Sequence, residues 1–195
     1  MKLALFDFDG TITTKDSLAD FIQYAVGRPA YYMALLKLSP MLAAYMLKLI
    51  PNHIAKEKFI AYFFKEWSVE KFQRLAEQYS LEKIDDITRL KAMQRIKWHQ
   101  DQGQKVIIVS ASIECWLKPW CDKHHIDLIA TRLEVKDHKL TGKFATKNCH
   151  GIEKTNRIRA RYDLYKDSII YAYGNSPGDK EMLHLATEQY YQYFH

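Results

Sequence analysis

Cysteine is scarce in this sequence, with three residues in a chain of 195. A small and odd number of cysteines does not form the disulfide framework that stabilises small secreted domains. Cys115 and Cys121 lie near His124 and His125, but no second pair of ligands follows at the spacing of a structural zinc site. We therefore expect free thiols, no zinc and a reducing, cytoplasmic location.

The sequence also lacks an apolar run long enough to cross a membrane, which takes about 20 uninterrupted residues. Its most apolar stretch, residues 31–50, is interrupted by Lys37, Ser39-Pro40 and Lys48. Ser followed by Pro is typical of a helix N-terminus, so two short helices that meet at Pro40 are predicted here. These helices either form an apolar core of their own or contact a membrane surface without spanning it.

Acidic residues are fewer than basic ones, 23 against 29, which gives a formal net charge of +6. This balance favours an anionic partner, such as a phosphorylated ligand or a membrane surface. A nucleic acid is another anionic candidate, because Arg157, Arg159 and Arg161 are clustered. On a helix these side chains point around much of the circumference, and they form no base-reading motif. We predict no nucleic-acid partner.

A short apolar segment near the amino terminus runs directly into two carboxylates, in Leu3-Ala4-Leu5-Phe6-Asp7-Phe8-Asp9-Gly10-Thr11. Such a segment is typical of a buried strand in a parallel sheet, and because it begins right after Met1-Lys2 we expect no cleavable signal peptide. The carboxylates should emerge at the carboxyl end of the strand, where open α/β sheets bind ligands. Asp7 and Asp9 are two residues apart and share a face. The alternative is an ordinary Asp-Gly turn.

Three later segments place polar residues where they could join this pair. Ser110-Ala111 follows the apolar run Val106–Val109, Lys154 lies in a predicted helix, and residues 174–179 follow a third apolar run. Each has an ordinary explanation by itself: a capping serine, a surface lysine and a turn. Their occurrence together, in order along the chain, indicates one site.

These four segments resemble the four motifs of the haloacid dehalogenase (HAD) superfamily, in particular its phosphoserine phosphatase-like members of subfamily IB. The local sequence around Ser110, Lys154 and Asn175 is most similar to that of phosphatidylglycerophosphatase C-like proteins. The resemblance implies an α/β fold: a three-layer α/β/α Rossmann-like core with a mainly parallel sheet and an inserted all-helical cap of the C1 type. The change in periodicity assigns residues 1–13 and 95–195 to the core and 14–94 to the cap, with a long helix over 84–100.

The resemblance also implies a magnesium-dependent phosphatase. Asp7 would attack phosphorus and form an aspartyl-phosphate, Asp9 would act as general acid and base, and Lys154 would neutralise the reacting charges. The expected phosphate-binding residues are Gly10, Thr11, Ser110, Ala111 and Lys154. The expected Mg²⁺ ligands are Asp7, Asp9 through its backbone carbonyl, Asn175 and Asp179.

Two positions depart from the phosphoserine phosphatase pattern. Asn175 stands where those enzymes carry a metal-binding aspartate, so the site gains an oxygen ligand without a charge. Asp16 stands where those enzymes read the amino acid with a glutamate, but the cap shows no matching arginine. We therefore expect Asp16 to contribute to substrate specificity toward a substrate other than phosphoserine.

Three functions remain open. The first is hydrolysis of an anionic lipid phosphate such as phosphatidylglycerophosphate, by an enzyme located in the cytoplasm and peripherally at the inner face of the cell membrane through its cap. The second is hydrolysis of a small soluble ester, such as a phosphoserine-like compound or a sugar phosphate. The third, motivated by Asn175, is a catalytically weakened protein that binds a phosphoryl ligand.

Overall fold

The structure is a computed structural model that describes residues 2–165 and 168–195. The strands are β1 Lys2–Phe6, β2 Lys105–Ile113, β3 Asp127–Thr131, β4 Leu133–Lys136, β5 Lys139–Phe144, β6 Ile169–Gly174 and β7 Glu188–Tyr191. The helices are α1 Ser17–Val26, α2 Arg28–Met46, α3 Asn52–Phe64, α4 Val69–Glu82, α5 Ile84–Ile87, α6 Leu90–Asp101, α7 Glu114–Lys123, α8 Ile152–Arg161 and α9 Lys180–Leu185. A short 3₁₀ turn covers Pro177–Asp179.

A five-stranded sheet of order β3-β2-β1-β6-β7 forms the centre of the molecule, and all its pairs are parallel. β1 lies in the middle, with Leu5 opposite Ile107 of β2 on one side and Ala172 of β6 on the other. The chain proceeds to β2 and β3 on one side of β1 and later returns to β6 and β7 on the other. This reversal beside β1 creates a crevice at the carboxyl ends of the strands, where Asp7 follows.

Helices cover both faces of this sheet. Successive side chains of β1 point to opposite sides, so both faces carry apolar side chains that must be buried. Phe6 packs in one apolar cluster with Trp116 of α7, and Leu5 packs in another with Ile158 of α8 and Met182 of α9. All five side chains are buried. The predicted α/β fold with a three-layer, Rossmann-like core is confirmed.

Two adjacent crossings join this core to the helices α1–α5. Thr13 forms an isolated antiparallel bridge with Thr88, the Arg89 amide donates to the Ile12 carbonyl at 2.7 Å, and the Thr14 amide donates to the Ile87 carbonyl at 2.7 Å. The predicted single helix over 84–100 is therefore wrong, since the extended backbone at Thr88 and Arg89 separates α5 from α6. The division into 1–13 with 95–195 and 14–94 stays a prediction, and its second boundary falls inside α6.

The two helices predicted to meet at Pro40 are instead one helix, α2. Proline has no amide hydrogen to donate to the carbonyl four residues earlier, and this usually breaks a helix. Here the Ser39 hydroxyl donates to that same carbonyl, of Leu36, at 2.8 Å. The side chain replaces the missing backbone donor, and the helix continues to Met46.

β4 and β5 form an antiparallel hairpin that packs against α3. Gly142 in β5 has a φ of +82°, and a Cβ at this position would lie 2.5 Å from the Ala61 Cβ of α3. The Phe144 amide also donates to Glu57 of α3 at 2.8 Å. α3 is therefore fixed against the core by a close approach that only glycine allows.

Candidate active site

The centre of the site is a buried lysine between two carboxylates. Lys154 Nζ of α8 donates to Asp7 Oδ1 at 2.6 Å and to Asp179 Oδ1 at 2.6 Å. Asp7 stands at the end of β1, where its amide donates to the Tyr173 carbonyl of β6 at 2.9 Å. The fold thus brings together three predicted site residues that are up to 172 positions apart in number, from Asp7 to Asp179.

The charges of this cluster decide its protonation. Burial by itself would lower the pKa of Lys154, but the two carboxylates raise it above the ordinary value of a lysine. Burial would likewise raise the pKa of Asp179, but Lys154 and Ser176 lower it overall. For Asp7 burial is the largest effect and raises its pKa, with Lys154 acting in the opposite direction. Lys154 therefore remains an ammonium group, and the cluster carries excess negative charge that a further cation would balance.

The fourth segment is a turn organised by Asp179. Its Oδ2 accepts hydrogen bonds from the Asn175 amide at 3.1 Å, the Ser176 amide at 3.0 Å and the Ser176 hydroxyl at 2.8 Å. Gly174 allows this arrangement, because a Cβ there would lie 2.6 Å from the Asp179 Cβ. Asp179 thus holds both Lys154 and the turn, while direct coordination of a metal by Asp179 stays a prediction.

Oxygen atoms from the first and fourth segments converge at Thr11. The Thr11 hydroxyl lies 3.0 Å from Asp7 Oδ2 and 3.2 Å from Asn175 Oδ1. Gly10 has a φ of +79°, and a Cβ there would lie 2.3 Å from Asn175 Nδ2, so the loop approaches the amide closely. Among the described residues no group of three or more His, Cys, Asp or Glu side chains could hold a metal. A carboxylate and an amide oxygen together fit a hard cation such as Mg²⁺, which keeps several waters as ligands.

Asp9 occupies a different environment from Asp7. Its Oδ1 accepts the Ser17 amide at 2.6 Å and its Oδ2 accepts the Ser112 hydroxyl at 2.5 Å. Burial, with the nearby charge of Asp16, raises the pKa of Asp9 to about 6, although the two hydrogen bonds oppose this. Asp9 is therefore a carboxyl group that can hold a proton near neutral pH and release it.

The second segment lies along the extended end of β2. Ser110 is buried and its Oγ accepts the Ser112 amide at 3.0 Å. Ser110 and Ala111 both line the cavity above Asp7. Ser112 is a residue that sequence reasoning missed; its position two residues after Ser110, in the same strand, is the signal that could have identified it.

Lys56 of α3 is the second residue that sequence reasoning missed. Its Nζ donates to the Ala111 carbonyl at 2.9 Å, and burial lowers its pKa. No carboxylate of the described residues lies within ion-pair distance of it. Asp16, predicted to contribute to specificity, caps α1 by accepting the Ala19 amide at 2.9 Å and lines the same cavity. The only sequence signal for Lys56 is its place one turn after Asn52 and one turn before Phe59, which also line the cavity.

The cavity has a volume of about 480 Å³ and two unlike walls. Its floor comes from the sheet side and carries Asp7, Asp9, Lys154 and Asp179, whereas Asp16 and Lys56 border it from α1 and α3. Its roof comes from α1, α2 and α3 and is largely apolar: the lining side chains are Leu18, Ala19, Tyr31, Leu35, Leu42, Tyr45, Ala55 and Phe59. The site can thus hold a phosphoryl group at the floor and an apolar group under the roof.

Two of the three clustered arginines hold α8 against the sheet. Arg157 donates to the Ala130 carbonyl at 2.7 Å and pairs with Glu153 at 2.9 Å. Arg161 donates to the Leu128 carbonyl at 2.6 Å. These contacts give the arginines a structural role, which weakens the case for a nucleic-acid surface.

A family model described as haloacid dehalogenase-like hydrolase matches residues 4–184, which include all four segments. The chain belongs to the haloacid dehalogenase-like hydrolases. Protein CicA of Caulobacter vibrioides is a relative of this hydrolase, 31% identical over 98% of this chain and 86% of CicA. The predicted family is confirmed.

Several solved structures share the fold of this hydrolase. A Bordetella pertussis protein of unknown function superposes with a TM-score of 0.80 at 22% identity, covering 95% of this chain and 87% of that one. A substrate-bound phosphoserine phosphatase superposes with a TM-score of 0.63 at 22% identity, covering 97% and 85%. At 22% identity these likenesses show a shared fold, with which the predicted subfamily IB agrees.

Two further sequence predictions concern the cysteines and the relation of the protein to a membrane. Cys115, Cys121 and Cys149 are free thiols, and burial raises the pKa of each. Within the described parts of the chain, no helix has both the length and the apolar character needed to cross a bilayer. The predicted cytoplasmic location and the contact with a membrane stay predictions.

Proposed function

We propose that this protein is a magnesium-dependent phosphatase that hydrolyses a phosphomonoester through an aspartyl-phosphate on Asp7. The observation that carries the proposal is the contrast between two carboxylates two residues apart. Asp7 contacts the ammonium group of Lys154 and the hydroxyl of Thr11, whereas Asp9 contacts only neutral donors, Ser17 and Ser112. Two acids in unlike surroundings can divide the roles of nucleophile and proton carrier. The structural likeness to a phosphoserine phosphatase supports the same reaction class.

In the first step an oxygen of Asp7 forms a bond to phosphorus while the bond from phosphorus to the ester oxygen breaks. Asp9, in its protonated form, gives its proton to that departing oxygen, so the alcohol leaves uncharged. The raised pKa of Asp9, about 6, makes this protonated form accessible near neutral pH.

In the second step Asp9, now a carboxylate, takes a proton from a water molecule. The water oxygen forms a bond to phosphorus, the bond to Asp7 breaks, and inorganic phosphate leaves. The group that donated a proton in the first step accepts one in the second, and the enzyme returns to its starting state.

Charge on the transferring phosphoryl group would be stabilised from several sides. Lys154 and the Thr11 hydroxyl lie beside Asp7, and Ser110 and Ala111 line the cavity. A phosphate contact from Gly10 would come from its backbone, whose amide donates to the Thr13 hydroxyl in this structure. Mg²⁺ would be held by Asp7, Asn175 and the Asp9 carbonyl, with Asp179 in support, and would neutralise charge that otherwise repels the substrate. Two unit charges about 4 Å apart repel by roughly 4 kcal/mol at an effective dielectric constant near 20.

Our lead substrate is an anionic lipid phosphate such as phosphatidylglycerophosphate. The apolar roof supports this choice, because Leu35, Leu42 and Phe59 offer an acyl-bearing ester a surface that a sugar phosphate would not use. Asp16 and Lys56 favour the alternative, a small polar ester, since they add charge to the same cavity. A protein that binds a phosphoryl ligand without turnover is the outcome to expect if Asn175 leaves the metal too weakly held.

Release of phosphate from an aryl phosphate tests the reaction. We expect activity with Mg²⁺ that a chelator abolishes, and an Asp7→Asn variant reduced about 1,000-fold or more. Asp137→Asn, an exposed hairpin position, is the matched control and should retain full activity. Acid-quenched mass spectrometry should find phosphate on the peptide that contains Asp7. Robust turnover by Asp7→Asn would refute the proposal, and ligand binding without turnover by the wild type would support the weakened binding protein.

The substrate class needs a separate experiment. A panel of phosphatidylglycerophosphate, phosphoserine and sugar phosphates, assayed with and without anionic vesicles, should show the highest kcat/KM for the lipid. A preference for one of the water-soluble esters, with no effect of vesicles, would replace the lipid by the alternative class and leave the reaction chemistry unchanged.

A further inference from the structure

One side of α2 is strongly apolar and exposed. Six large apolar side chains of α2 and the turn after it have exposed fractions between 59% and 80%. We call this set the outer cap surface: Tyr32, Met33, Leu36, Met46, Leu47 and Leu49. A contiguous apolar surface of this kind is uncommon on a protein that stays fully in water and marks a contact with another apolar body.

The adjacent side of the same helix is apolar for a different reason. Leu35 and Leu42 of α2 line the catalytic cavity, together with Tyr31 and Tyr45. A helix that is apolar on all sides is ordinarily buried on all sides. The described residues cover one side of α2, so the outer cap surface has no partner within the described part of the chain.

The charge around the outer cap surface identifies the kind of partner. No aspartate or glutamate occurs from Phe21 to Lys56, a run that contains Arg28, Lys37 and Lys48. All three of these cations are exposed. A partner must therefore accept apolar side chains and offer negative charge beside them, and the surface of an anionic lipid bilayer does both.

We propose that the outer cap surface docks on an anionic lipid bilayer, with its apolar side chains in the interface and Lys37 and Lys48 at the lipid phosphates. A second copy of the chain is a poorer partner, because a twofold contact would bring the same cations together. α2 would lie in the plane of the interface, which requires no spanning helix.

The docking explains the two apolar sides of α2 together. The helix that docks also lines the cavity, and a helix with its side chains is about 10 Å across, so a lipid at the outer cap surface lies within about one helix diameter of the cavity lining. Delivery of such a substrate to Asp7 rests on the proposed function. Docking itself involves no reaction and is tested without one.

Vesicle flotation measures the docking directly. The wild-type chain should float with vesicles of phosphatidylcholine and phosphatidylglycerol but not with phosphatidylcholine alone, and added salt should weaken the binding. The Asp7→Asn variant should float equally well, so a failure of the phosphatase assay does not affect this readout.

Two exposed pairs give a matched comparison. Leu36→Asp with Met46→Asp changes the outer cap surface, and Leu90→Asp with Tyr165→Asp makes the same change of charge at exposed apolar positions elsewhere. We expect the first pair to lower vesicle binding roughly tenfold or more and the second to leave it within about twofold. Both should hydrolyse an aryl phosphate in solution as the wild type does.

A charge-reversal pair covers the case in which the first variant does not fold. Lys37→Glu with Lys48→Glu should also abolish binding to anionic vesicles, whereas Lys91→Glu with Lys180→Glu, at exposed positions of α6 and α9, should reduce it far less. Equal effects of the surface and control pairs would overturn the proposal. Absence of wild-type binding to anionic vesicles would overturn it too, as would a wild-type dimer in solution that Leu36→Asp with Met46→Asp converts to monomers.

Discussion

The floor and the roof of the cavity are built on opposite principles. In the floor, Asp7, Lys154 and Asp179 form a buried ionic cluster in which every charged atom has a partner at 2.6 to 3.1 Å. In the roof, α2 presents apolar side chains to the cavity, and Lys56 donates to a single carbonyl. The floor is fully determined by its own contacts, whereas the roof leaves groups free to meet a ligand.

This difference assigns catalysis to the floor and substrate selection to the roof. Buried charges that satisfy one another hold a reacting group in one geometry, and such order serves a reaction step. The apolar surface and Lys56, which makes one hydrogen bond, discriminate among ligands but take no part in the bond changes of the reaction. Substitutions in the floor should therefore change kcat and stability, and substitutions in the roof should change KM and the choice of substrate.

The largest expected effect comes from Lys154→Met in the floor. Removing the ammonium group leaves Asp7 and Asp179 buried without a counter-charge, which should cost about 3 kcal/mol of unfolding free energy. Denaturant unfolding measures this, and kcat should fall about 1,000-fold or more in the same variant. Lys180→Met, at the exposed start of α9, is the control and should change neither. A stable and active Lys154→Met variant would show that Lys154 is needed neither to balance the charge of Asp7 and Asp179 nor for catalysis.

A second effect concerns His99, which lies under the floor behind Tyr173. Its Nδ1 contacts Gln104 Oε1 at 2.6 Å and its Nε2 contacts the Tyr173 hydroxyl at 2.9 Å. Burial lowers the pKa of His99 to about 4, from 6.5 for an ordinary histidine. The unfolded chain therefore binds a proton first as the pH falls below 6.5, and stability declines until the folded pKa is reached.

Between pH 7 and pH 5 this residue should remove about 2 kcal/mol from the free energy of unfolding. Urea titrations at both pH values should show the decline in the wild type and a correspondingly smaller one in His99→Gln. His138→Gln, at an exposed position, should behave as the wild type does. Identical slopes for wild type and His99→Gln would mean that His99 is not held neutral in the folded protein.

In the roof, Lys56→Met should raise KM for the anionic physiological ester about tenfold and leave kcat for an aryl phosphate within about twofold. The reason is that the variant removes a cation from the cavity without touching Asp7 or Asp9. Steady-state kinetics on both substrates give the comparison, and Lys58→Met, exposed on the same helix, is the control. An equal loss of kcat on both substrates would mean that Lys56 contributes to catalysis and not to substrate selection.

The smallest expected effect is that of Asn175→Asp at the edge of the floor. A carboxylate in place of the amide adds one negative charge beside Asp7, so Mg²⁺ should bind several-fold more tightly. The readout is the Mg²⁺ concentration needed for half of the thermal stabilisation, which requires no turnover. An unchanged titration would place residue 175 outside the coordination sphere.

Sequence reasoning reached the floor more completely than the roof. Asp7, Lys154 and Asp179 stand in segments whose order and residue types are tied to one reaction, and the strand after which Asp7 stands is apolar enough to predict its place in the sheet. Lys56 carries no such pattern, because its role arises only when α3 and the end of β2 come together in space. Ser112 has only the alternation with Ser110 to point to it, because its contact with Asp9 joins two distant segments. Local sequence does not encode such long-range proximity.

The same limit explains the errors in the secondary structure. Pro40 predicted a helix boundary by a rule that holds for the backbone alone, and the hydroxyl of Ser39 overrode it. The break at Thr88 and Arg89 has no glycine or proline to announce it, since it exists only to pair with Ile12 and Thr14. Apolar character predicted helical structure on both sides of Pro40 but could not tell which side of the single helix α2 is exposed.

The bridge between Thr13 and Thr88 has a consequence for how such an enzyme can diversify. Because Thr13 and Thr88 are paired, the segment between them is a long insertion whose two ends are already joined. Another insertion with equally close ends could be grafted there while β1 and β2 keep their register. The segment that selects the substrate could then be exchanged between enzymes while the proposed reaction site at the end of β1 stays the same.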